Sequence, residues 1–80
     1  MKVTVKFFSY AILAGTSMSV LELPEGATLA GLTSLLAERF PGVFPQAERA
    51  IYLVNHQTGS RDTRLKDGDQ ILMLQVLGGG

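Results

Sequence analysis

Ile71-Leu72-Met73-Leu74-Gln75-Val76-Leu77 is the stretch that decides the fold. Six of these seven residues are apolar. A strand that is apolar on both faces is covered on both, and so reads as central in its sheet. Strand neighbours are therefore expected on either side of residues 71–77, and the rest of the chain should supply them. Directly after the run stand Gly78-Gly79-Gly80.

The first neighbour lies near the start. Lys2 to Phe8 alternates polar and apolar, with β-branched and aromatic residues, as a half-buried strand does. Val3, Val5 and Phe7 are expected to face the core. Phe8 then falls on the solvent side, an anomaly for so large a ring. A loop over Ser9 to Ser17, with Gly15-Thr16-Ser17 as its turn, leads to a second strand over Met18 to Leu23. Pro24-Glu25-Gly26 closes that strand, so the two form an antiparallel hairpin.

Thr28 has the chemistry of a helix N-cap. Leu29, Leu32, Leu35, Leu36 and Phe40 follow at three- and four-residue steps, the stripe of a helix laid on a sheet. Gly31 stands where a capping box needs Glu or Gln, so only half the box is available. Pro41-Gly42 ends the helix. Residues 43–49 are irregular, with a short helical turn expected around 45–48. Ala50 to Val54 predicts the next strand, Asn55 to Asp62 a loop, and Thr63 to Leu65 a very short strand. Lys66-Asp67-Gly68-Asp69 predicts a tight turn, because Asp-Gly supplies positive φ.

Strand, strand, helix, strand, short strand, strand, with the last strand beside the first, is the order of a β-grasp. The expected class is α+β: a mixed sheet of four to five strands with one main helix packed across it. One domain is expected over residues 1–77, followed by a glycine tail over 78–80.

Composition removes several function classes. The chain has 80 residues, 46% of them hydrophobic, enough for one small core. The absence of cysteine excludes a disulfide framework, a thiolate zinc site and a cysteine nucleophile. Seven basic and seven acidic residues cancel and are dispersed, so the basic excess that nucleic-acid binding draws on is missing. No apolar run approaches the roughly 20 residues that span a bilayer. The alternating start is not a signal peptide, and a cytoplasmic location is expected.

Other residues resemble sites without making one. His56 is the single histidine and has no second ligand in view. Asp67 and Asp69 lack the other positions of a calcium loop and read as turn residues. Ser17 and Ser19 have no base partner. Gly26-Ala27-Thr28-Leu29-Ala30-Gly31 lacks the lysine of a phosphate loop. No metal site is expected.

The tail is different. Three residues without side chains form a thin leash that can enter a channel too narrow for a Cβ. The one reactive group on it is the α-carboxylate of Gly80. The expected site is therefore the Gly80 carboxyl, with Gly78 and Gly79 threading the active sites of partner enzymes. If Ile71 and Met73 face the helix, Leu72 and Leu74 share the opposite face with Phe8. Those three are the expected docking patch.

With these landmarks in place, the chain resembles the ubiquitin-like sulfur carriers of the MoaD/ThiS family over essentially its whole length. The resemblance rests on Val5-Lys6-Phe7-Phe8, Leu23-Pro24-Glu25-Gly26-Ala27-Thr28, Leu53-Val54-Asn55, Leu65-Lys66-Asp67-Gly68-Asp69 and Gly79-Gly80. The length is most similar to the small subunit of molybdopterin synthase. That branch usually carries a Pro-Pro-Val segment before its Gly-Gly, where Gln75-Val76-Leu77-Gly78 stands here.

The resemblance implies that Gly80 is adenylated and converted to a thiocarboxylate that donates sulfur in molybdopterin or tungsten-pterin cofactor biosynthesis. It implies two partners: an adenylating enzyme of the MoeB/ThiF type, which uses ATP, and a larger synthase subunit of the MoaE type. The chain itself then binds no cofactor and supplies no catalytic side chain. Three alternatives stay open: a carrier for thiamin thiazole or tRNA thiolation, a ubiquitin-like modifier conjugated through Gly80, and a passive binding module.

Overall fold

The computed structural model describes residues 1–44 and 49–75. The expected helical turn at 45–48, the last two residues of the 71–77 run and the glycine tail lie outside the described residues. Among the described residues five strands form one sheet: β1 (Lys2–Lys6), β2 (Met18–Glu22), β3 (Ile51–Val54), β4 (Gln57–Thr58) and β5 (Gln70–Leu74). Two helices accompany them, the single turn α1 (Ala11–Ala14) and the main helix α2 (Leu29–Arg39). The strand order is β2-β1-β5-β3-β4.

β5 is central, as its two apolar faces require. It runs parallel to β1, with Val5 beside Ile71, and antiparallel to β3, with Tyr52 beside Met73. β1 and β2 pair antiparallel, Lys2 with Glu22 through Lys6 with Met18. This is a β-grasp.

Period two divides each strand between two environments. Val3, Val5, Leu21, Ile71 and Met73 are buried and face α2. From the helix come Leu29, Leu32 and Leu36, with Leu35 and Phe40 half-buried at the margins of the stripe. Fully burying a leucine contributes about 1.5–3 kcal/mol relative to leaving it exposed, so these side chains hold the two layers together. Phe7 packs edge-on against Phe40, ring centroids 5.0 Å apart at 62°.

The start of α2 is fully capped. Thr28 Oγ1 accepts from the Gly31 N–H at 3.4 Å. The Leu29 and Ala30 amides donate to the carbonyls of Thr63 and Arg61. These amides are spent inside the fold, which agrees with reading Gly26 to Gly31 as a helix start rather than a phosphate loop. Among the described residues no helix is long and apolar enough to cross a membrane.

Three expectations are corrected. The first strand ends at Lys6, not Phe8, because the backbone of Phe8 turns left-handed at φ 49°. The segment expected as a plain loop over Ser9 to Ser17 contains a 3-10 turn and α1. These carry Tyr10 into the core, where it is buried. The fourth strand is Gln57–Thr58, inside the expected loop, and not Thr63 to Leu65. There only an isolated bridge joins Arg64 to Thr28. Asn55 and His56, both at positive φ, make the two-residue turn that folds β4 back onto β3.

Gly59 follows β4 at a place where a side chain would force its neighbours to shift. A Cβ there would lie 2.9 Å from Leu29 Cδ2 and 3.1 Å from Val54 Cγ2.

Tyr52 sits on the inner side of β3 and lines a groove with Phe44 and Ala50. Burial pushes its phenol up to about 12 from 10.0, and nearby Tyr10 adds to the effect. The unfolded chain would ionise Tyr52 near 10. Its contribution to stability is therefore complete below pH 10 and lost as pH rises through about 12. Thermal melts from pH 9 upward should show a steeper alkaline decline for the native protein than for Tyr52→Phe. Superimposable declines would mean that Tyr52 plays no part in it.

Candidate functional site

The sheet face turned away from α2 has nothing packed over it among the described residues. Strand alternation places Lys2, Thr4 and Lys6 of β1 there, with Met18, Val20 and Glu22 of β2. Ile51 and Leu53 of β3, Thr58 of β4 and Gln70, Leu72 and Leu74 of β5 complete it. Register sets the neighbours: Met18, Lys6, Leu72 and Leu53 form one row, and Leu74 lies opposite Ile51. Val20 is 56% exposed, Met18 47% and Ile51 41%, values far above those of core residues. Leu53, Leu72 and Leu74 are half-buried. Thr4 and Lys6 stand between the apolar residues of β2 and those of β5, and an exposed face of this apolar content is what transient partners use.

Phe8 stands at the end of this face. It follows β1 by two residues past Lys6, whose register partner is Leu72. Phe8 itself lies beyond the last paired residue of β1, where the chain has turned out of the strand. It lines a shallow groove with Lys6, Ala11, Ser17 and Met18.

A left-handed backbone under a bulky side chain costs on the order of 1–3 kcal/mol. The ring is 52% exposed, so little burial offsets that cost. A strained backbone holding a large exposed ring points to a task outside the fold. Phe8, Ile12, Leu13, Met18 and Val20, all exposed, fall between Lys6 and Glu22, a stretch without a single charge.

Leu72 and Leu74 lie on this open face, and Phe8 stands at its margin beside Lys6 and Met18. Sequence reasoning missed Met18, Val20, Ile51 and Leu53. Their alternation was visible, but only the strand register shows that they adjoin Lys6, Leu72 and Leu74. Gly78, Gly79 and Gly80 lie outside the described residues.

At the opposite end of β5 is a polar node. Asp69 is 5% exposed. Its Oδ1 accepts from Asn55 Nδ2 at 2.8 Å and its Oδ2 from the Lys66 N–H at 2.8 Å. Asn55 Oδ1 in turn accepts from the Gln70 N–H at 3.0 Å. Asp67 Oδ1 accepts from the Lys2 N–H at 2.8 Å. Both aspartates are thus turn residues, tying the β5 entry to β1 and to the β3–β4 turn. His56 is exposed in that turn. Among the described residues no three His, Cys, Asp or Glu side chains gather as metal ligands.

Comparison with known proteins fits this arrangement. The model of the ThiS family matches residues 5–80. The chain belongs to the ThiS family. It is a ubiquitin-like protein of the ThiS/MoaD sulfur-carrier group.

Among solved structures, a candidate molybdopterin converting factor subunit 1 from Pyrococcus furiosus is 28% identical with a TM-score of 0.81, covering 96% of this chain and 99% of that one. In a complex of subunits 1 and 2 of the Helicobacter pylori molybdopterin-converting factor, the matching chain is 26% identical. Its TM-score is 0.74, and both chains are covered in full. SAMP1 from Haloferax volcanii shares the fold at a TM-score of 0.89 and 17% identity, with both chains covered in full. A search of curated proteins finds no match.

Proposed function

We propose that this ThiS-family chain carries sulfur for molybdopterin or tungsten-pterin cofactor biosynthesis. The Gly80 carboxylate attacks the α-phosphate of ATP on an adenylating enzyme of the MoeB/ThiF type, and pyrophosphate leaves. A sulfide-level nucleophile then adds to the acyl carbon, the bond to AMP breaks, and AMP departs with the electron pair. The resulting thiocarboxylate is the cargo, and Gly78 and Gly79 thread it into the acceptor. The chain acts as a cosubstrate and supplies no acid, base or metal ligand.

The observation that carries this reading joins the open face of β5 to the sequence that follows it. β5 presents Leu72 and Leu74 on an open apolar face, and the sequence continues past it into Gly78-Gly79-Gly80. A partner that grips the face beside Phe8 receives the tail in the same event. Likeness to subunit 1 of a factor solved together with its subunit 2 supports a larger MoaE-type subunit as that partner. The fold shared with SAMP1 keeps conjugation through Gly80 as the second reading.

Co-expression with the cognate adenylating enzyme, followed by intact-mass measurement, tests the proposal. Exchange of one oxygen for sulfur at the terminus is expected. A ladder of larger conjugates would favour the modifier, and an unchanged mass would refute both. Activity reconstituted with a pterin precursor and the larger subunit separates this acceptor from thiazole or tRNA acceptors.

Phe8 gives a prediction of its own. Phe8→Gly removes the ring and relieves the left-handed strain. Glycine's extra freedom in the unfolded chain, about 0.5–1 kcal/mol, works against that gain. The thermal midpoint should therefore hold steady or rise, while affinity for the larger subunit, measured by calorimetry, falls by roughly tenfold or more. Wild-type affinity in this variant would remove Phe8 from the docking surface.

A further inference from the structure

β2 is an open edge. In the order β2-β1-β5-β3-β4 the two outer strands are β2, with five residues, and β4, with two. Natural edges of that length are usually blunted by lysine, proline or a bulge. Met18-Ser19-Val20-Leu21-Glu22 carries none of these, and its one charge is its last residue.

The hydrogen-bond parity shows which groups are free. The Phe7 N–H donates to Ser17 O at 2.9 Å, and Leu23 and Met1 exchange bonds at 2.9 Å. With the observed register, the odd-numbered residues of β2 bond to β1. Met18, Val20 and Glu22 therefore turn their N–H and C=O groups outward, in line along the edge. Met18 O already accepts from the Thr16 hydroxyl at 2.9 Å, and its second lone pair remains.

We propose that two copies of this chain pair antiparallel through β2 about a two-fold axis at Val20, joining their sheets into one of ten strands. The outward parity fits this register. Val20 faces Val20 of the second copy, and Met18 faces its Glu22, so every facing pair consists of residues whose backbone groups point at each other.

The charges fit as well. Lys6 stands directly behind Met18 in the sheet. Strands lie about 4.8 Å apart, so Glu22 of the second copy comes within roughly 10 Å of Lys6 along the backbone, and the two long side chains close the gap. The symmetry makes this contact twice. Apolar side chains meet at the seam centre, with an ion pair at each end. Because the axis reverses strand direction, the two β5 strands finish at opposite ends of the joined sheet. Neither the end of β5 nor Leu72 and Leu74 is covered by the seam.

Sedimentation equilibrium of the full chain, from low micromolar to millimolar, is the test. The weight-average mass should climb from monomer towards dimer and fall back as salt is added. Val20 is exposed, so Val20→Lys keeps the monomer fold, checked by its thermal midpoint, and sets two like charges face to face. It should weaken association at least tenfold. Glu22→Lys brings a second cation to Lys6 of the other copy and should weaken association too. Ile51→Asp, on the same open face but three strands from the seam, should leave the dimer intact.

Three results would overturn the proposal. One is a monomer throughout for the native chain, which would leave the edge to other partners. Another is a dimer indifferent to Val20→Lys. The third is a dimer dispersed by Ile51→Asp as fully as by Val20→Lys, which would place the contact on the open face.

Discussion

Deleting Gly80 is expected to abolish thiocarboxylate formation and to leave the thermal midpoint unchanged. The proposed chemistry needs one acyl carbon at the end of a thread that fits two active sites. Without Gly80 the carboxylate moves back to Gly79, one residue short, and a near-attack geometry is lost when reacting atoms are displaced by even an ångström. A residue spans about 3.3–3.6 Å of extended chain, so the shortfall is several times that tolerance. The loss should exceed a hundredfold in the rate of adenylation, measured by pyrophosphate release.

Stability should not follow. The core is made of Val3, Val5, Phe7, Leu32, Leu36, Ile71, Met73 and their neighbours, and no residue after Met73 belongs to it among those described. Restoring length with alanine in place of Gly80 would separate reach from bulk. If the added Cβ is what matters, this variant fails as the deletion does. If reach alone matters, activity returns. A deletion variant that melts substantially lower would assign the tail to the fold and count against its role as a free thread.

How legible this was depended on the kind of signal. The centrality of β5 could be read from its unbroken apolar run, and the helix from Thr28 and the leucine spacing. Both signals are local and concern burial, which leaves periodic marks. β4 was missed because Gln57 and Thr58 are exposed and polar. Their pairing is held by backbone bonds, and the turn before them uses Asn55-His56 where Asn-Gly would have announced a hairpin. Asn55 was the available clue, since asparagine tolerates positive φ better than most residues.

Phe8 misled for a related reason. Its alternation with Val5 and Phe7 continued the strand on paper, and nothing in a phenylalanine signals a left-handed backbone. The anomaly of a large ring on a wet face was real, and the strain beneath it sharpens that anomaly. The proposed docking face was half legible. Phe8, Leu72 and Leu74 could be named from alternation alone, whereas the register that brings Met18 and Leu53 into one row with Lys6 and Leu72 exists only in three dimensions.

The second large effect is expected at the other end of β5. Asp69→Ala should destabilise the domain by about 3 kcal/mol, because each hydrogen bond to a charged group contributes about 1.5–3 kcal/mol and the abandoned donors stay partly buried. At 4–8 °C per kcal/mol for a domain of this size, the midpoint should drop by roughly 15 °C.

Asp69→Asn discriminates further. Both carboxylate oxygens accept, one from Asn55 and one from Lys66, so an amide can serve only one of these donors and sets its NH2 against the other. Turning Asn55 over to relieve that clash would break its bond from Gln70. The amide variant should thus lose nearly as much as the alanine variant. Asp67→Ala, which gives up one exposed bond to Lys2, should cost about 1 kcal/mol.

Urea denaturation of the three variants checks the order, and equal small losses at all three positions would mean that the node is ornamental. At temperatures where Asp69→Ala remains folded, its Gly80 should still be adenylated at the native rate. β5 would then anchor the sheet at one end and deliver the acyl group at the other, with five residues of strand keeping the two tasks apart.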